Sequence, residues 1–257
     1  RGSTSSISTG PVANPSRVRL IFENHRKSDP TDAESLARLG RLDPELLHSI
    51  RHRGAEAQAD LAVLRARAAA VRARTLLVNH IRGAVKSCGG RIRGRSAGRI
   101  VRRGRAEVPE ELHPALEPLL VELAGLNACV QAYDRTIESL AESRYPETRR
   151  LRQVAGVGAL TATAYVLTLE DPHRFRRSLD VGSYVGLTPG RDASGQRDPQ
   201  LRISRAGDRD LRRLLVRSAH YILGPFGPEC DLRRQGLGIP GVALEHFDRD
   251  RAAVTIR

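Results

Sequence analysis

Two long stretches of the chain repeat mainly apolar residues at alternating intervals of three and four positions. In the first stretch the repeat consists of Leu61, Leu64, Ala68, Val71, Thr75, Val78, Arg82 and Val85. In the second it consists of Leu112, Leu116, Leu119, Leu123, Leu126, Val130, Tyr133, Ile137 and Leu140. An alternation that continues over several turns is typical of a coiled-coil seam. The pattern predicts two long helices that form an antiparallel hairpin, and ordinary packing within one domain is the alternative.

The segment between these stretches, residues 88–105, combines glycine with a high density of arginine. Its sequence is CGGRIRGRSAGRIVRRGR. Glycine weakens a helix because it loses much backbone freedom on folding, so we expect this segment to form the tip of the hairpin. We also expect its cations to bind nucleic acid. The arginines of this basic tip are Arg91, Arg93, Arg95, Arg99, Arg102, Arg103 and Arg105.

A shorter helix is predicted ahead of the hairpin. Asp29 fits the N-cap and Pro30 the first turn, while Gly40 fits the end of the helix. Asp29 and Asp32 are three residues apart, so their carboxylates share one face within reach of one hard cation. Acidic residues are also what a helix start prefers because of its dipole. A helix start without a metal is therefore the alternative.

A glycine pair follows the hairpin. Gly156 and Gly158 lie between a short apolar helix and a longer one. This arrangement resembles a helix-hairpin-helix motif, in which glycines let backbone N–H groups approach a phosphate. A plain packing joint between two helices is the alternative.

The stretch from residue 184 to 220 places a serine loop before a basic helix. Ser194 and Gly195 lie in the loop, and the helix is predicted from Ser204 to His220. A serine hydroxyl is a candidate nucleophile toward phosphorus, and arginine suits phosphate because its planar fork donates two parallel hydrogen bonds. A surface loop followed by a solvated helix is the alternative. The arginines concerned are Arg202, Arg205, Arg209, Arg212, Arg213 and Arg217.

Composition narrows the classes of partner. The net charge is +14, which favours a polyanion, whereas aromatic residues are only 4%, so stacking on bases is not the expected binding mode. Three widely separated cysteines fit a reducing compartment. No apolar run approaches the roughly 20 residues of a membrane span. The chain has no methionine and begins with Arg1, so we expect it to be a fragment.

Two ordered blocks resemble the DEDD-type transposases of bacterial insertion sequences, a family that also includes the Piv DNA invertases. KSDPTDAESLARLGRLDPELL, residues 27–47, is similar to the end of the family's RuvC-like catalytic domain. Residues 154–223, which contain VAGVGALTATAYVL and GRDASGQRDPQLRISRAGDRDLRRLL, are similar to its C-terminal transposase domain. RTLLVNHIRGAVKSCG, residues 74–89, also fits. The resemblance covers roughly residues 12–223.

The pattern and the resemblance together predict a mainly α fold in four parts. Residues 1–53 are the remnant of an α/β RuvC-like domain, and residues 54–145 are a long antiparallel coiled-coil hairpin with the basic tip at its end. Residues 146–223 are a helical, DNA-binding transposase domain with the helix-hairpin-helix-like motif. Residues 224–257 are an irregular tail.

The resemblance also implies a mechanism. Asp29 and Asp32 correspond to the last two acidic residues of a tetrad that binds magnesium, and Ser194 corresponds to the serine nucleophile. The first two acidic residues of the family lie upstream of the position of Val12, so the tetrad is expected to be incomplete in this chain. The implied partners are DNA, a structured guide RNA and further copies of the chain, as a homodimer or tetramer joined through the coiled coil. The implied location is the bacterial cytoplasm, with no membrane.

The sequence therefore predicts a transposase that binds DNA and exchanges strands. A catalytically dead nucleic-acid-binding remnant is one alternative, and a structural coiled-coil protein is another. For this chain by itself we expect nucleic-acid binding without strand cleavage or joining. A steep salt dependence of binding separates the first two possibilities from the third.

Overall fold

The computed structural model describes residues 28–44, 54–94, 96–190, 194, 199, 201–225 and 227–238, which are mainly helical and contain no β-strand. This confirms the prediction of a mainly α fold. The helices are α1 (Asp29–Leu42), α2 (Ala55–Ser87), α3 (Ala97–Glu107), α4 (His113–Ser143), α5 (Thr148–Leu151), α6 (Ala159–Leu169), α7 (Ser178–Val185), α8 (Arg209–Leu223) and α9 (Asp231–Leu237), with 3-10 turns at Glu110–Leu112 and Pro172–Arg174.

The chain divides into two compact units, residues 1–54 and 55–257. The RuvC-like remnant, the coiled coil and the four predicted domain limits stay predictions. In the described ranges, every helix is too short or too polar to cross a bilayer.

In the first unit, α1 begins one residue earlier than predicted. Ser28 is the N-cap, because its side chain accepts a hydrogen bond from the Thr31 N–H at 3.4 Å, so the prediction of Asp29 as N-cap is wrong. The predicted end at Gly40 is also wrong, since the helix continues to Leu42. One glycine costs a helix only about 1 kcal/mol. Asp43 is extended and precedes a proline, which disfavours helical geometry and ends α1 there.

In the second unit, α2 and α4 pack antiparallel, as predicted. Arg67 Nε lies 2.5 Å from Asp134 Oδ1, and Arg74 Nη1 donates to Asn127 Oδ1 at 3.4 Å, so the partner number falls as the α2 number rises. The most buried side chains of α4 recur every seven residues, at Leu116, Leu123, Val130 and Ile137.

The seam of α2 departs from the predicted repeat at two positions. Thr75 is exposed, and its hydroxyl donates to the Val71 carbonyl at 2.8 Å. Ile81 is fully buried in place of the predicted Arg82. A straight helix of 3.6 residues per turn drifts away from a repeat of 3.5, which moves the buried stripe by one position along a long helix.

The segment between α2 and α4 is a folded cap that includes α3. Ile100 is fully buried against the end of the helix pair, in an apolar cluster with Val78, Ile81, Val85, Ile92, Val108, Leu116 and Leu123. Gly104 is also buried, and it packs closely, since a Cβ there would lie 2.9 Å from a methyl of Leu120. The glycines of this segment therefore permit close helix packing as well as turns.

A second apolar cluster lies toward the other end of the helix pair. It joins the hairpin to the C-terminal helices through Leu61, Leu64, Ile137, Ala164, Leu167, Val185 and Leu211. The helix predicted from Ser204 to His220 begins later, at Arg209, and continues to Leu223, so Arg202 and Arg205 lie on the loop before it. The prediction of an irregular chain after Leu223 is wrong at α9, and residues 239–257 are outside the described residues.

A polar cluster joins the start of α2 to the end of α4. The Asp60 carboxylate is only 5% exposed and accepts hydrogen bonds from Arg144 Nη1, at 2.9 and 3.0 Å, and from the Tyr145 hydroxyl, at 2.8 Å. Burial, together with the bond to Asp60, raises the pKa of Tyr145 above its ordinary value. Burying a carboxylate costs free energy unless it is paired and hydrogen-bonded. The bonds from Arg144 and Tyr145 offset this cost for Asp60.

Gly156 is required where the chain turns beneath α8. Its φ is +78°, and a Cβ there would lie 2.8 Å from the Tyr221 ring. The Ser218 hydroxyl donates to the Gly156 carbonyl at 2.9 Å. Gly158, the N-cap of α6, has an ordinary φ of −89° and open space around its Cα. Gly156 therefore has a packing role that Gly158 does not share.

Replacing Tyr145 with phenylalanine removes one hydrogen bond to a buried carboxylate. We expect Tyr145→Phe to lower the free energy of unfolding by about 1 kcal/mol at neutral pH, measured by urea denaturation. Tyr133→Phe is the matched control on the same helix pair, since no hydrogen bond of the Tyr133 hydroxyl is found in the described part of the chain. Equal losses in the two variants would contradict a specific role for Tyr145.

The raised pKa of Tyr145 also sets a pH dependence. Because folding raises this pKa, its stabilising contribution is present below the unfolded value of about 10 and is lost as the pH rises toward the folded value. The wild-type protein should therefore lose stability more steeply above about pH 10 than Tyr145→Phe does.

Serine substitution at the two glycines tests their different roles. Gly156→Ser should lower the free energy of unfolding by about 2 kcal/mol, because a side chain is strained at positive φ and displaces Tyr221. Gly158→Ser should change stability by less than about 0.5 kcal/mol or increase it, because serine is a good N-cap. Urea unfolding followed by circular dichroism measures both. Comparable destabilisation by the two substitutions would refute the packing role of Gly156.

Candidate functional site

Ser194 is exposed, in a loop whose two ends are joined by backbone hydrogen bonds. Arg205 N–H donates to the Gly186 carbonyl at 3.1 Å, Ser204 N–H to Thr188 at 2.8 Å, and Gly190 N–H to Arg202 at 2.9 Å. We call this set the loop ladder. It includes an antiparallel bridge between Pro189 and Ile203. Residues 191–193 and 195–198, including Gly195, are outside the described residues.

Two glycines let the two backbone segments at the base of the loop ladder approach each other. A Cβ on Gly186 would lie 2.2 Å from the Ala206 carbonyl oxygen, and one on Gly207 would lie 2.1 Å from that of Tyr184. Both glycines have positive φ, +74° and +70°. Any other residue would separate these two segments, so the glycines fix the narrow base of the Ser194 loop.

Arg205 has the left-handed backbone conformation that usually favours glycine. Its φ is +56°, a conformation that costs a residue with a side chain about 1 kcal/mol or more. The bond from its N–H to Gly186 is made in this conformation. The side chains of Arg202 and Arg205 are exposed beside the loop. The ladder thus presents two cations on the loop end that leads into α8.

The arginines of α8 fall into three groups. Arg209 and Arg217 are exposed and, within the described part of the chain, make no ion pair. Arg213 Nη2 is paired with Asp210 Oδ1 at 3.2 Å. Arg212 is directed inward, and its Nη1 donates to two backbone carbonyls. The sequence predicted one role for all four, and nothing in the spacing distinguishes Arg212 from its neighbours.

Interactions with the hairpin hold the start of α8. The Asp208 side chain caps the helix by accepting from the Leu211 N–H at 2.8 Å, and it lies 3.9 Å from Arg65 of α2. Asp210 lies 3.9 Å from Arg72. These half-exposed pairs contribute little stability individually. They do place the helix that follows the serine loop against α2.

The basic tip surrounds a cavity of about 500 Å³ lined by Arg82, Arg91, Ile92, Arg93 and Gly94. Arg82 donates to the Gly94 carbonyl, so this residue of the predicted seam contributes to the tip. The chain carries no acidic residue from position 82 to 106.

The other arginines of the tip differ in their surroundings. Arg102 and Arg103 are exposed on α3, while Arg99 packs against Gly94 and Arg105 pairs with Glu117 at 3.0 Å. Arg95 is outside the described residues. Among the described arginines of the tip, only some are therefore exposed without an ion pair.

Asp29 and Asp32 lie in the first turn of α1, in the first unit, whereas Ser194 lies in the second. Asp32 Oδ1 is buried and has no hydrogen-bond partner among the described residues, which suits an oxygen that binds a cation. A divalent cation such as magnesium takes about six oxygen ligands. The described residues contain no cluster of three or more histidine, cysteine or acidic side chains, so the described carboxylates meet only part of that requirement.

Sequence models of two transposase families match the two ends of the chain. The model described as the transposase IS116/IS110/IS902 family matches residues 148–229, which include Ser194 and α8. A transposase model of the DEDD, IS110 type matches residues 9–89, which include Asp29 and Asp32. The order of the two matches is the order of the two blocks in the sequence.

Several transposases are similar to most of this chain. The transposase for insertion sequence element IS1111A of Coxiella burnetii is 28% identical over 256 residues, which are 95% of this chain and 67% of that protein. A probable family 20 transposase of Pseudomonas aeruginosa is 28% identical over 82% of this chain and 64% of its own length. The transposase for insertion sequence element IS1328 of Yersinia enterocolitica is 30% identical, over 82% and 63%.

The chain thus spans about two thirds of the length of these relatives. Both family models are transposase models, and the relatives carry the same description. The chain belongs to the DEDD-type family of insertion-sequence transposases.

Proposed function

We propose that the chain acts in DNA transposition, with its second unit binding the DNA backbone and presenting Ser194 as the nucleophile. The observation that carries this proposal is the position of Ser194. It is exposed on the loop whose two ends the ladder joins, and the C-terminal end of that loop leads into α8, which exposes Arg209 and Arg217. A phosphodiester bound by these cations would lie against the exposed side of α8.

The proposed reaction is a phosphoryl transfer. Ser194 Oγ forms a bond to phosphorus as one ester P–O bond breaks, and the leaving oxygen receives a proton. A serine hydroxyl is weakly nucleophilic until it is activated. Arg202 and Arg205 carry the charge that would stabilise the negative oxygens of the transition state.

A divalent metal is proposed at Asp29 and Asp32, with magnesium as the ion. A bound metal would supply Lewis-acid activation of an attacking or leaving oxygen. The two carboxylates would hold it, and the unpartnered Asp32 Oδ1 supports this assignment. Two carboxylates leave most ligand positions open, so we derive no step of the reaction from the ion.

Two further surfaces complete the proposed DNA and RNA contacts. The exposed tip arginines, Arg91, Arg93, Arg102 and Arg103, would bind a nucleic-acid backbone. Backbone N–H groups at the start of α6, after Gly158, would face a phosphate favoured by the helix dipole. Phosphate contact by Gly156 is proposed as part of the same turn. A structured guide RNA is proposed as a partner on the same charge argument.

A homodimer or tetramer is proposed through the hairpin. Leu76 of α2 and Val121 of α4 are 67% and 65% exposed. Large apolar side chains on the outside of a helix pair are suited to contact a second copy. The DNA-associated location in a bacterial cytoplasm is proposed with the function.

A non-catalytic nucleic-acid-binding protein is the second candidate. It is favoured by the same exposed arginines, and within the described residues no third acidic, histidine or cysteine side chain joins Asp29 and Asp32 in a metal-binding cluster. Binding and strand exchange therefore have to be measured separately.

The contribution of α8 to DNA binding can be measured from its salt dependence. Each lost phosphate contact should reduce the slope of log K against log salt by about 1. We expect this reduction for Arg217→Gln, measured by fluorescence anisotropy with duplex DNA over a series of potassium chloride concentrations. Arg67→Gln removes the same charge from an arginine already paired with Asp134, and its slope should equal that of the wild type. Equal slopes in all three proteins would contradict the proposed α8 contact.

Strand exchange tests the role of Ser194. With magnesium, the terminal DNA of an insertion sequence and no further protein, we expect this chain by itself to bind DNA but to form no joined product, because among the described residues Asp29 and Asp32 provide too few ligands. Denaturing gels that resolve covalent protein–DNA species provide the measurement. A product that is lost in Ser194→Ala would overturn this expectation and would establish Ser194 as the nucleophile. A product that persists in Ser194→Ala would exclude Ser194.

A further inference from the structure

Arg212 makes contacts that no other arginine of α8 makes. Its Nη1 donates to the Val185 carbonyl at 2.8 Å and to the Ala206 carbonyl at 2.7 Å. Val185 precedes the Ser194 loop, and Ala206 follows it. One guanidinium nitrogen therefore bridges the two ends of the loop.

The two carbonyls are suited to a cationic donor. Val185 is the last residue of α7, where the carbonyls lack partners within the helix and the helix dipole is negative. Val185 is also only 1% exposed, so water has little access around it. Hydrogen bonds from a charged donor are stronger than neutral ones. Arg212 thus satisfies a buried helix end and fixes its distance from the chain at Ala206.

The bridge extends the loop ladder by one step. The last ladder bond joins Arg205 to Gly186, and the next residues outward are Ala206 and Val185, the two that Arg212 contacts. Gly186 and Gly207 let the two backbone segments lie close enough for one guanidinium nitrogen to reach both carbonyls. The guanidinium replaces the direct backbone bond at this step.

We propose that Arg212 is a positioning residue that fixes the base of the Ser194 loop, and that it does not bind phosphate. The relevance to catalysis rests on the proposed function, in which Ser194 reacts. The role of Arg212 at the loop base is independent of catalysis, and it can be tested without DNA and without an activity assay.

Hydrogen exchange of the ladder amides measures the bridge directly. In Arg212→Gln, the amides of Gly190, Ser204 and Arg205 should exchange about tenfold faster, as expected for loss of hydrogen bonds to a charged group. Arg212→Lys keeps the positive charge and should restore part of the protection. Tyr145→Phe is a control for general loss of stability, and it should leave the relative protection of these three amides unchanged.

A spectroscopic probe at the serine position connects the bridge to the site. Ser194→Cys, made with Cys88, Cys129 and Cys230 replaced by serine, carries a nitroxide label, and a second label is placed at the exposed Ser178. Pulsed electron paramagnetic resonance should give a broader distance distribution in Arg212→Gln than in the parent protein. Arg213→Gln, which loses the neighbouring charge, should match the parent protein.

DNA binding separates this role from a phosphate contact. The salt slope for duplex DNA should be the same in Arg212→Gln as in the wild type, whereas Arg217→Gln loses about 1. If Arg212→Gln leaves both the hydrogen exchange of the ladder amides and the label-to-label distance distribution unchanged, the proposal is overturned, whatever the salt slope of DNA binding. If Arg212→Gln does not fold, Arg212→Lys decides by the same two measurements. Absence of DNA binding in every protein would refute the proposed function while leaving the exchange result to decide the bridge.

Discussion

The packing of α2 against α4 is the contact on which the other parts of the second unit depend. Leu116, Leu123, Val130 and Ile137 form a buried column along α4, and burial of each such side chain contributes about 1.5–3 kcal/mol. The two apolar clusters lie toward opposite ends of this pair. One holds α3 and the basic tip, and the other holds α6, α7 and α8. The polar cluster at Asp60 closes the second end by joining the first turns of α2 to the end of α4.

The long helices were predictable because their apolar period is sustained and because α4 ends just before Tyr145-Pro146. Local capping was less predictable. Ser28 and Asp29 are both good N-cap residues, and the choice between them depends on one residue of helix register. The buried position of Ile81 and the exposure of Thr75 depend on the drift of a straight helix. The helix within the basic tip was not predicted, because Ile100 gains its stability from burial against the helix pair rather than from local propensity.

The candidate site was predictable as a set of residues and not as an arrangement. Ser194 and the arginine-rich helix follow from residue chemistry and from the family resemblance. The different contacts of Arg209, Arg212, Arg213 and Arg217 do not, because the four arginines share one helix and differ only in what lies opposite each of them. Asp210 pairs with Arg213, and two backbone carbonyls face Arg212. The Asp210 pair is local to the helix, whereas the two carbonyls are brought together by the close approach at Gly186 and Gly207, a tertiary contact that leaves no periodic pattern.

The helix α2 runs from the base of the serine loop to the basic tip. Arg65 contacts Asp208 beside the loop base, and Arg82 lines the cavity at the tip. At 1.5 Å per residue, these two positions are about 26 Å apart along the helix. Successive phosphates of one DNA strand are separated by about 3.4 Å along the duplex axis. A duplex that lies parallel to α2 and contacts both positions would therefore have about seven or eight base pairs between the two contacts. This spacing would be set by the length of the helix rather than by any contact with a base.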